Sequence, residues 1–268
     1  MWDPAQYLRF GDERSRPFFD LLGRVGAENP ACVVDLGCGP GHLTETLAER
    51  WPGARVEGVD NSPEMIEAAR SRPSTQDYSE RIVPSVSFTL ADIRGWTPER
   101  APDVIVSNAV LQWVPGHDSL LLRWMDQLAP GGWLAFQLPG AVLNQQGDSP
   151  SHEIVRELAA SPRWRGLLAG AELNRQGGSP AHYVALLAPG GYRVDAWETT
   201  YTHVLTGENP VLEWTKGTTL RPVLARLDSG QAADFTEEYS ERVRAAYPRY
   251  PFGVIFPFRR IFVVARKA

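Results

Sequence analysis

The run Asp35-Leu36-Gly37-Cys38-Gly39-Pro40-Gly41 holds the residues best suited to grip a ligand. It follows a short apolar stretch and precedes a helical pattern, which predicts a tight strand-to-helix turn. Gly37 and Gly39 let the chain turn sharply and let a ligand approach the backbone. A glycine-rich first turn at the carboxyl ends of parallel strands is where doubly wound folds bind nucleotides. A nicotinamide or flavin dinucleotide site would carry glycine or alanine at position 42, and His42 stands there instead. Asp35, just inside the strand end, would repel a pyrophosphate but suits a positively charged amino group.

The elements that must position this turn read as alternating strands and helices. Strands are expected at 32–36, 55–59, 86–90, 104–107 and 133–138, with helices at 42–51, 63–71 and 118–128 between them. Val-, Leu- and Ile-rich strands spaced by helix-length segments indicate βαβ units and a parallel sheet buried on both faces. Ala129-Pro130-Gly131-Gly132 ends one helix and restarts the chain as a strand. Beyond Pro139 the pattern loosens. Helices are expected at 151–160 and 180–187, a strand at 192–204, two helices within 208–247 and a last strand at 261–266. The fold class is therefore α/β: a doubly wound, mostly parallel, Rossmann-like sheet of seven strands in a single domain over 1–268. Two segments, 140–178 and 205–258, are longer than ordinary connections and are expected to be excursions covering the binding site.

The chain has 268 residues, 43 % hydrophobic and 22 % charged, with a formal net charge of −5. That is an ordinary globular composition, and its acidic balance argues against a nucleic-acid binder. Asp3, Arg9, Asp12 and Glu13 interrupt any signal-peptide core, and no apolar run reaches the ~18–20 residues of a membrane span. Cys32 and Cys38, too far apart along one extended segment to bridge, read as small buried residues of a reduced, cytoplasmic protein.

The glycine motif resembles that of the class I S-adenosylmethionine-dependent methyltransferases, in which an acidic residue precedes the glycines as Asp35 does here. The resemblance implies that Asp35, Gly37 and Gly39 hold the methionyl end of the cofactor. Asp60, ending the second strand, would take the ribose hydroxyls, for which a carboxylate is a natural double acceptor. Asn61 and Met65 join it at cofactor-binding positions. Asp92-Ile93 matches the pair that contacts adenine, and Asn108-Ala109 the loop near the sulfonium. The four matches come in chain order, each at the carboxyl end of a strand.

More specifically, the chain resembles the trans-aconitate methyltransferase family. The resemblance is carried by Trp2-Asp3-Pro4, Tyr7-Leu8-Arg9-Phe10, Glu13-Arg14-Ser15-Arg16-Pro17 and Leu111-Gln112-Trp113-Val114-Pro115. Towards the other end it is carried by Trp197-Glu198-Thr199-Thr200-Tyr201, Leu220-Arg221-Pro222 and Phe256-Pro257-Phe258-Arg259-Arg260. It implies methyl esterification of a planar tricarboxylate, with S-adenosylmethionine as cofactor and no metal. Among 27 basic residues only Lys216 and Lys267 are lysines, and guanidinium forks bind carboxylates in a planar, bidentate way. Arg221, Arg259 and Arg260 are the candidate clamps. Adjacent strand residues point to opposite faces, so one of Arg259 and Arg260 should face the site, Arg260 being preferred. Tyr7, Trp113, Tyr201 and Trp214 are candidate aromatic or polar contacts to the substrate.

A carboxylate is ionised at neutral pH, so no general base is required and His117 need not serve as one. Orientation and exclusion of water are the expected sources of rate. The arginines should hold the carboxylates that do not react, because strong pairing of the attacking oxygen would slow it. Two stretches depart from the family pattern: Pro139-Gly140-Ala141 lacks an acidic residue or Asn after the proline, and 73–84 is long. A different acceptor for the same cofactor, or a cofactor-binding module without turnover, are the alternatives.

Overall fold

Every residue of Cys32–Leu36 and of Val104–Asn108 is buried. Short runs this apolar satisfy their backbone only inside a sheet covered on both faces. In the computed structural model, which describes residues 11–72, 86–140, 149–171, 173 and 177–268, they are adjacent central strands. The strands are β1 (Cys32–Leu36), β2 (Arg55–Asp60), β3 (Val86–Leu90), β4 (Val104–Asn108), β5 (Trp133–Pro139), β6 (Arg193–Leu205), β7 (Arg249–Tyr250) and β8 (Gly253–Arg266). Their order is β3-β2-β1-β4-β5-β8-β6, with β7 paired to β8. Neighbours among β1 to β5 pair in parallel, and β8 runs antiparallel to β5. Burial falls outward from the centre: β2 is partly exposed, and no residue of β3 is fully buried.

The helices are α1 (Gly11–Leu22), α2 (His42–Arg50), α3 (Pro63–Arg70), α4 (His117–Gln127), α5 (Pro150–Ala160), α6 (Pro180–Leu187), α7 (Pro210–Lys216), α8 (Arg221–Leu224) and α9 (Ser229–Ala246). Local chemistry sets their starts. Ser62 caps α3 by accepting from the Met65 N–H at 3.3 Å, with Pro63 in the first turn. Asp228 and Gln231 form a reciprocal capping box on α9. On α4, Leu120, Leu121, Trp124 and Met125 recur at helical spacing and join Leu36, Ile105 and Phe136 in one core. Each large apolar side chain buried there contributes roughly 1.5–3 kcal/mol.

The chain divides into two units. The first comprises Met1–Pro139, Gln176–Thr199 and Arg260–Ala268, and the second Gly140–Arg175 and Thr200–Arg259. Within the second, α9 packs on α5 and α7. Its centre is an aromatic group in which Trp214 lies 5.3 Å from His203, 5.4 Å from Phe256 and 5.5 Å from Phe258, ring centre to ring centre. Arg163 pairs with Asp234 and Glu238 and lies 4.6 Å over the Trp164 ring.

Three expectations need correction. The sheet has eight strands rather than seven, because the short β7 pairs with β8 off the main strand order. Residues 208–247 form three helices, because the chain leaves helix at Gly217 and restarts at Arg221 and again after the Asp228 cap. The last strand begins at Gly253 rather than 261. Its outer part alternates buried Val254, Phe256 and Phe258 with exposed Ile255 and Pro257. Apolar residues on both faces, with a proline among them, hide the period of two that would mark a strand.

Candidate cofactor site

The sheet order reverses between β1 and β4, and in open α/β sheets the crevice beyond that reversal is the ligand position. The Asp35–Gly41 turn leaves β1 at this point, and Asn108 ends β4. The turn is tied down by its own backbone. Gly37 and Cys38 both donate to the Val59 carbonyl, at 2.7 and 3.0 Å. Ser107 Oγ donates to the Leu36 carbonyl at 2.8 Å, which locks the ends of β1 and β4 together.

Gly37 and Gly39 both adopt left-handed backbone, with φ of 85° and 55°. Their surroundings differ. A Cβ on Gly37 would lie 2.1 Å from a methyl of Val110, so glycine there permits close approach of the 109–110 segment. A Cβ on Gly39 would meet nothing within 4 Å. Open space over a held backbone is the cradle that a ligand requires.

Asp60 fastens this turn to the end of β2. One carboxylate oxygen accepts from the Gly39 N–H and the other from the Ser62 N–H, each at 2.9 Å. Burial raises its pKa, and the backbone bonds from Ser62, Gly39 and Asn61 pull it down. A carboxylate offers about four lone-pair positions, so acceptor capacity remains for a ligand hydroxyl beside the backbone donors. The Asp60 carbonyl accepts from Ala91 N–H at 3.0 Å, which brings the Asp92-Ile93 pair alongside.

Asp35 is 2 % exposed. Thr44 Oγ1 donates to its Oδ2 at 2.7 Å, and Oδ1 is buried with no hydrogen-bond partner. Burial is the main cause pushing its pKa up, from 3.8 to about 7; the Thr44 hydrogen bond opposes this and the Asp60 charge adds to it. An orphaned carboxylate oxygen is costly. A bound cation would restore its charge and its partner. The Cys38 thiol is held far above its usual range by burial and by both carboxylates, so it is not a nucleophile.

The remaining cofactor candidates are placed as follows. Asn61 is exposed and Met65 is 4 % exposed. Asp92 accepts from Arg94 Nε at 3.1 and 3.0 Å, and that guanidinium holds its pKa low. Ile93 packs in the core with Trp96. Asn108, 8 % exposed, accepts on Oδ1 from Gln137 Nε2. The turn, Asp35, Asp60, Asp92 and Asn108 thus belong to one bonded framework in the first unit.

The acceptor candidates are more scattered. Tyr7 lies outside the described residues. Trp113 is half-buried in a single 3₁₀ turn, Leu111–Trp113. In the second unit, Tyr201 stacks on His203 at 6.0 Å and Trp214 fills the aromatic centre. Arg221 is half-buried at the start of α8. Arg259 is half-buried and Arg260 only 5 % exposed, as strand alternation requires. Gly140 has a reason for being glycine: a Cβ there would lie 2.7 Å from Arg259 Nε. His117 bonds Tyr183 OH at 2.9 Å and the Val114 carbonyl at 3.1 Å, and burial lowers its pKa. That is a packed structural histidine of the first unit.

Sequence reasoning missed Gln137, which is 0 % exposed and accepts from Arg260 Nη1 at 3.2 Å. The signal was a lone amide inside the apolar run Trp133-Leu134-Ala135-Phe136-Gln137-Leu138. Ser107 was missed because its partner Leu36 is distant in sequence, and Thr44 because it lies on the helix after the turn, nine residues beyond Asp35.

A family model described as a methyltransferase domain matches residues 8–175. The trans-aconitate 2-methyltransferase of Streptomyces avermitilis is 51 % identical, covering 99 % of this chain and 97 % of its own length. That of Rhodococcus jostii is 52 % identical and covers 99 % of both. Among solved structures, the YcgJ protein from Bacillus subtilis aligns with a TM-score of 0.60 at 15 % identity, over 94 % of this chain and 98 % of its own, a likeness of fold alone. Identity at this level along the whole chain, with the acidic glycine turn in place, means that the chain belongs to the trans-aconitate 2-methyltransferase family.

Proposed function

We propose that this chain transfers the methyl group of S-adenosylmethionine to a carboxylate of trans-aconitate. The observation that carries the cofactor is the buried Asp35 with its unpartnered Oδ1, beside a left-handed glycine turn open above Gly39. The acceptor rests on the shared name of relatives 51 and 52 % identical over nearly the full length.

The residues present fit the cofactor. Asp35 would take its ammonium group, Asp60 its ribose diol, and the backbone around Gly39 its methionyl end. The two carboxylates favour a cationic ligand and disfavour a phosphate. When bound, the cofactor supplies an electrophilic methyl group, and a carboxylate oxygen forms the new C–O bond as C–S breaks, leaving the methyl ester and S-adenosylhomocysteine. The acceptor arrives ionised, so this chain need not remove a proton. Its residues orient and desolvate instead, which can be worth roughly 7–11 kcal/mol. Arg221 and Arg259, with Arg260, are assigned to the carboxylates that do not react, and the segments 140–178 and 205–258 to supplying acceptor-binding groups. Among the described residues no helix is long and apolar enough to cross a membrane. The free thiols of Cys32 and Cys38 support a cytoplasmic location.

Release of S-adenosylhomocysteine with trans-aconitate, measured against a panel of other polycarboxylates, alcohols and peptide carboxylates, tests this reading. Turnover on trans-aconitate is expected. Turnover only on another acceptor would replace the substrate, and cofactor binding with no turnover on any would replace the enzyme by a binding module.

A further inference from the structure

Three buried polar residues form a relay at the carboxyl ends of β4 and β5, with Arg260 brought opposite Pro139 by the middle of antiparallel β8. Arg260 is 5 % exposed, Gln137 0 % and Asn108 8 %. Arg260 Nη1 donates to Gln137 Oε1 at 3.2 Å, and Gln137 Nε2 donates to Asn108 Oδ1. The direction of this relay is fixed by chemistry. A guanidinium only donates, so Gln137 must turn its oxygen to Arg260 and its N–H to Asn108. Asn108 must then turn its oxygen to Gln137, which leaves its NH₂ as the end offered elsewhere.

The backbone of Gln137 acts on the same loop. Asn108 and Gln137 are register partners, and the Gln137 carbonyl accepts from Ala109 N–H at 2.9 Å. Ala109 has φ of 59°, the one positive value among described residues other than glycine. Such strained positions persist where the surroundings over-determine them, and they gather at functional sites. The next residue, Val110, is the one that crowds Gly37 of the cofactor turn. Gln137 therefore holds both the side chain and the backbone of the segment against the glycine turn.

We propose that Gln137 is a positioning residue that sets the Asn108 amide with its N–H end toward the reacting carboxylate of the acceptor. This rests on the reading of the site as one for methyl transfer to a carboxylate. An ionised carboxylate only accepts hydrogen bonds, so it is oriented by a donor. An amine nucleophile would instead be oriented by the oxygen of the same amide. A neutral amide also places the attacking oxygen without pairing its charge, as a guanidinium there would. The relay thus selects the chemical class of acceptor.

Two variants separate positioning from packing. Gln137→Glu keeps a partner for Arg260 but turns an acceptor toward Asn108, which favours the reversed amide. Gln137→Met removes both side-chain bonds, leaves Asn108 free to turn either way, and withdraws one partner from buried Arg260. Both retain the backbone bond to Ala109. The melting temperature should be higher for Gln137→Glu than for Gln137→Met. The order of kcat/KM for trans-aconitate should be the opposite, falling about 100-fold in Gln137→Glu and about 10-fold in Gln137→Met, a range expected for hydrogen bonds to charged groups. The dissociation constant of S-adenosylhomocysteine, by calorimetry, should stay within about threefold of wild type. Activity that follows stability, cofactor affinity that falls in step with kcat/KM, unchanged kinetics, or failure of both variants to fold would each overturn the proposal. Wild-type protein inert toward trans-aconitate in the same series would instead overturn the functional reading on which it rests.

Discussion

The proposed pairing of Asp35 with the ammonium group of the cofactor predicts that affinity weakens as pH falls. The Asp35 carboxyl is pushed from 3.8 to about 7, first by burial and next by the Asp60 charge, against the Thr44 hydrogen bond. Only the ionised form attracts the ammonium group of the ligand. At pH 5 about one Asp35 in a hundred is ionised in the free protein, so the affinity for S-adenosylhomocysteine should be about 100-fold weaker than at pH 8. Between those limits the loss approaches tenfold per pH unit, and binding takes place with release of a proton. Asp60, also raised by burial, acts in the same direction. Stability of the free protein should run the other way. Where the folded pKa exceeds the unfolded one, the folded state holds the extra proton between them, and stability falls as pH rises. From 3.8 to about 7 this amounts to about 4 kcal/mol, lost by pH 8 and recovered on binding. Calorimetry from pH 5 to 8, in buffers of differing ionisation enthalpy, reads affinity and proton release together. Asp35→Asn, which can still accept from Thr44, should flatten most of the pH dependence and raise the melting temperature of the free protein at pH 8. A flat wild-type profile, or an unchanged slope in Asp35→Asn, would refute the assignment of the ammonium group to Asp35.

The two glycines of the turn should part company. Gly37→Ala forces a Cβ to 2.1 Å from Val110 at φ 85° and should destabilise the fold by about 2 kcal/mol or more, read as a fall in melting temperature. Gly39→Ala meets no neighbour within 4 Å, so its cost should be limited to about 1 kcal/mol of left-handed backbone, while calorimetry should show cofactor affinity reduced at least tenfold. Asp60→Asn should weaken cofactor binding before it changes the acceptor KM, and unchanged affinity would remove the ribose assignment. Arg221→Ala should raise the acceptor KM about tenfold or more with the cofactor dissociation constant near wild type; wild-type kinetics would end its role as a clamp.

What the sequence revealed was local and punctuated. The ends of β1 to β5 could be read from the sequence to within a residue or two, and the resemblance to the methyltransferases then pointed to Asp35, Asp60, Asp92 and Asn108 at or just beyond those ends. The outer part of β8 was hidden because Ile255 and Pro257 put apolar residues on its exposed face. The links among site residues were hidden for a different reason. Gln137 meets Asn108 through the β4–β5 register and Arg260 through β8, pairings that no local pattern announces. Alternation could say that Arg259 and Arg260 differ. It could not say that the buried one would bond an amide on β5. Tyr201 and Trp214 read as candidate polar contacts, and the sequence did not show that both pack in the aromatic group around His203.

The most direct test is to supply S-adenosylmethionine carrying a ¹³C methyl group together with trans-aconitate and to follow the label by NMR. The account predicts a methoxy signal from a trans-aconitate monomethyl ester, growing in a 1:1 ratio with S-adenosylhomocysteine. Label that stays on the cofactor, or that appears on any acceptor other than a carboxylate, would contradict it.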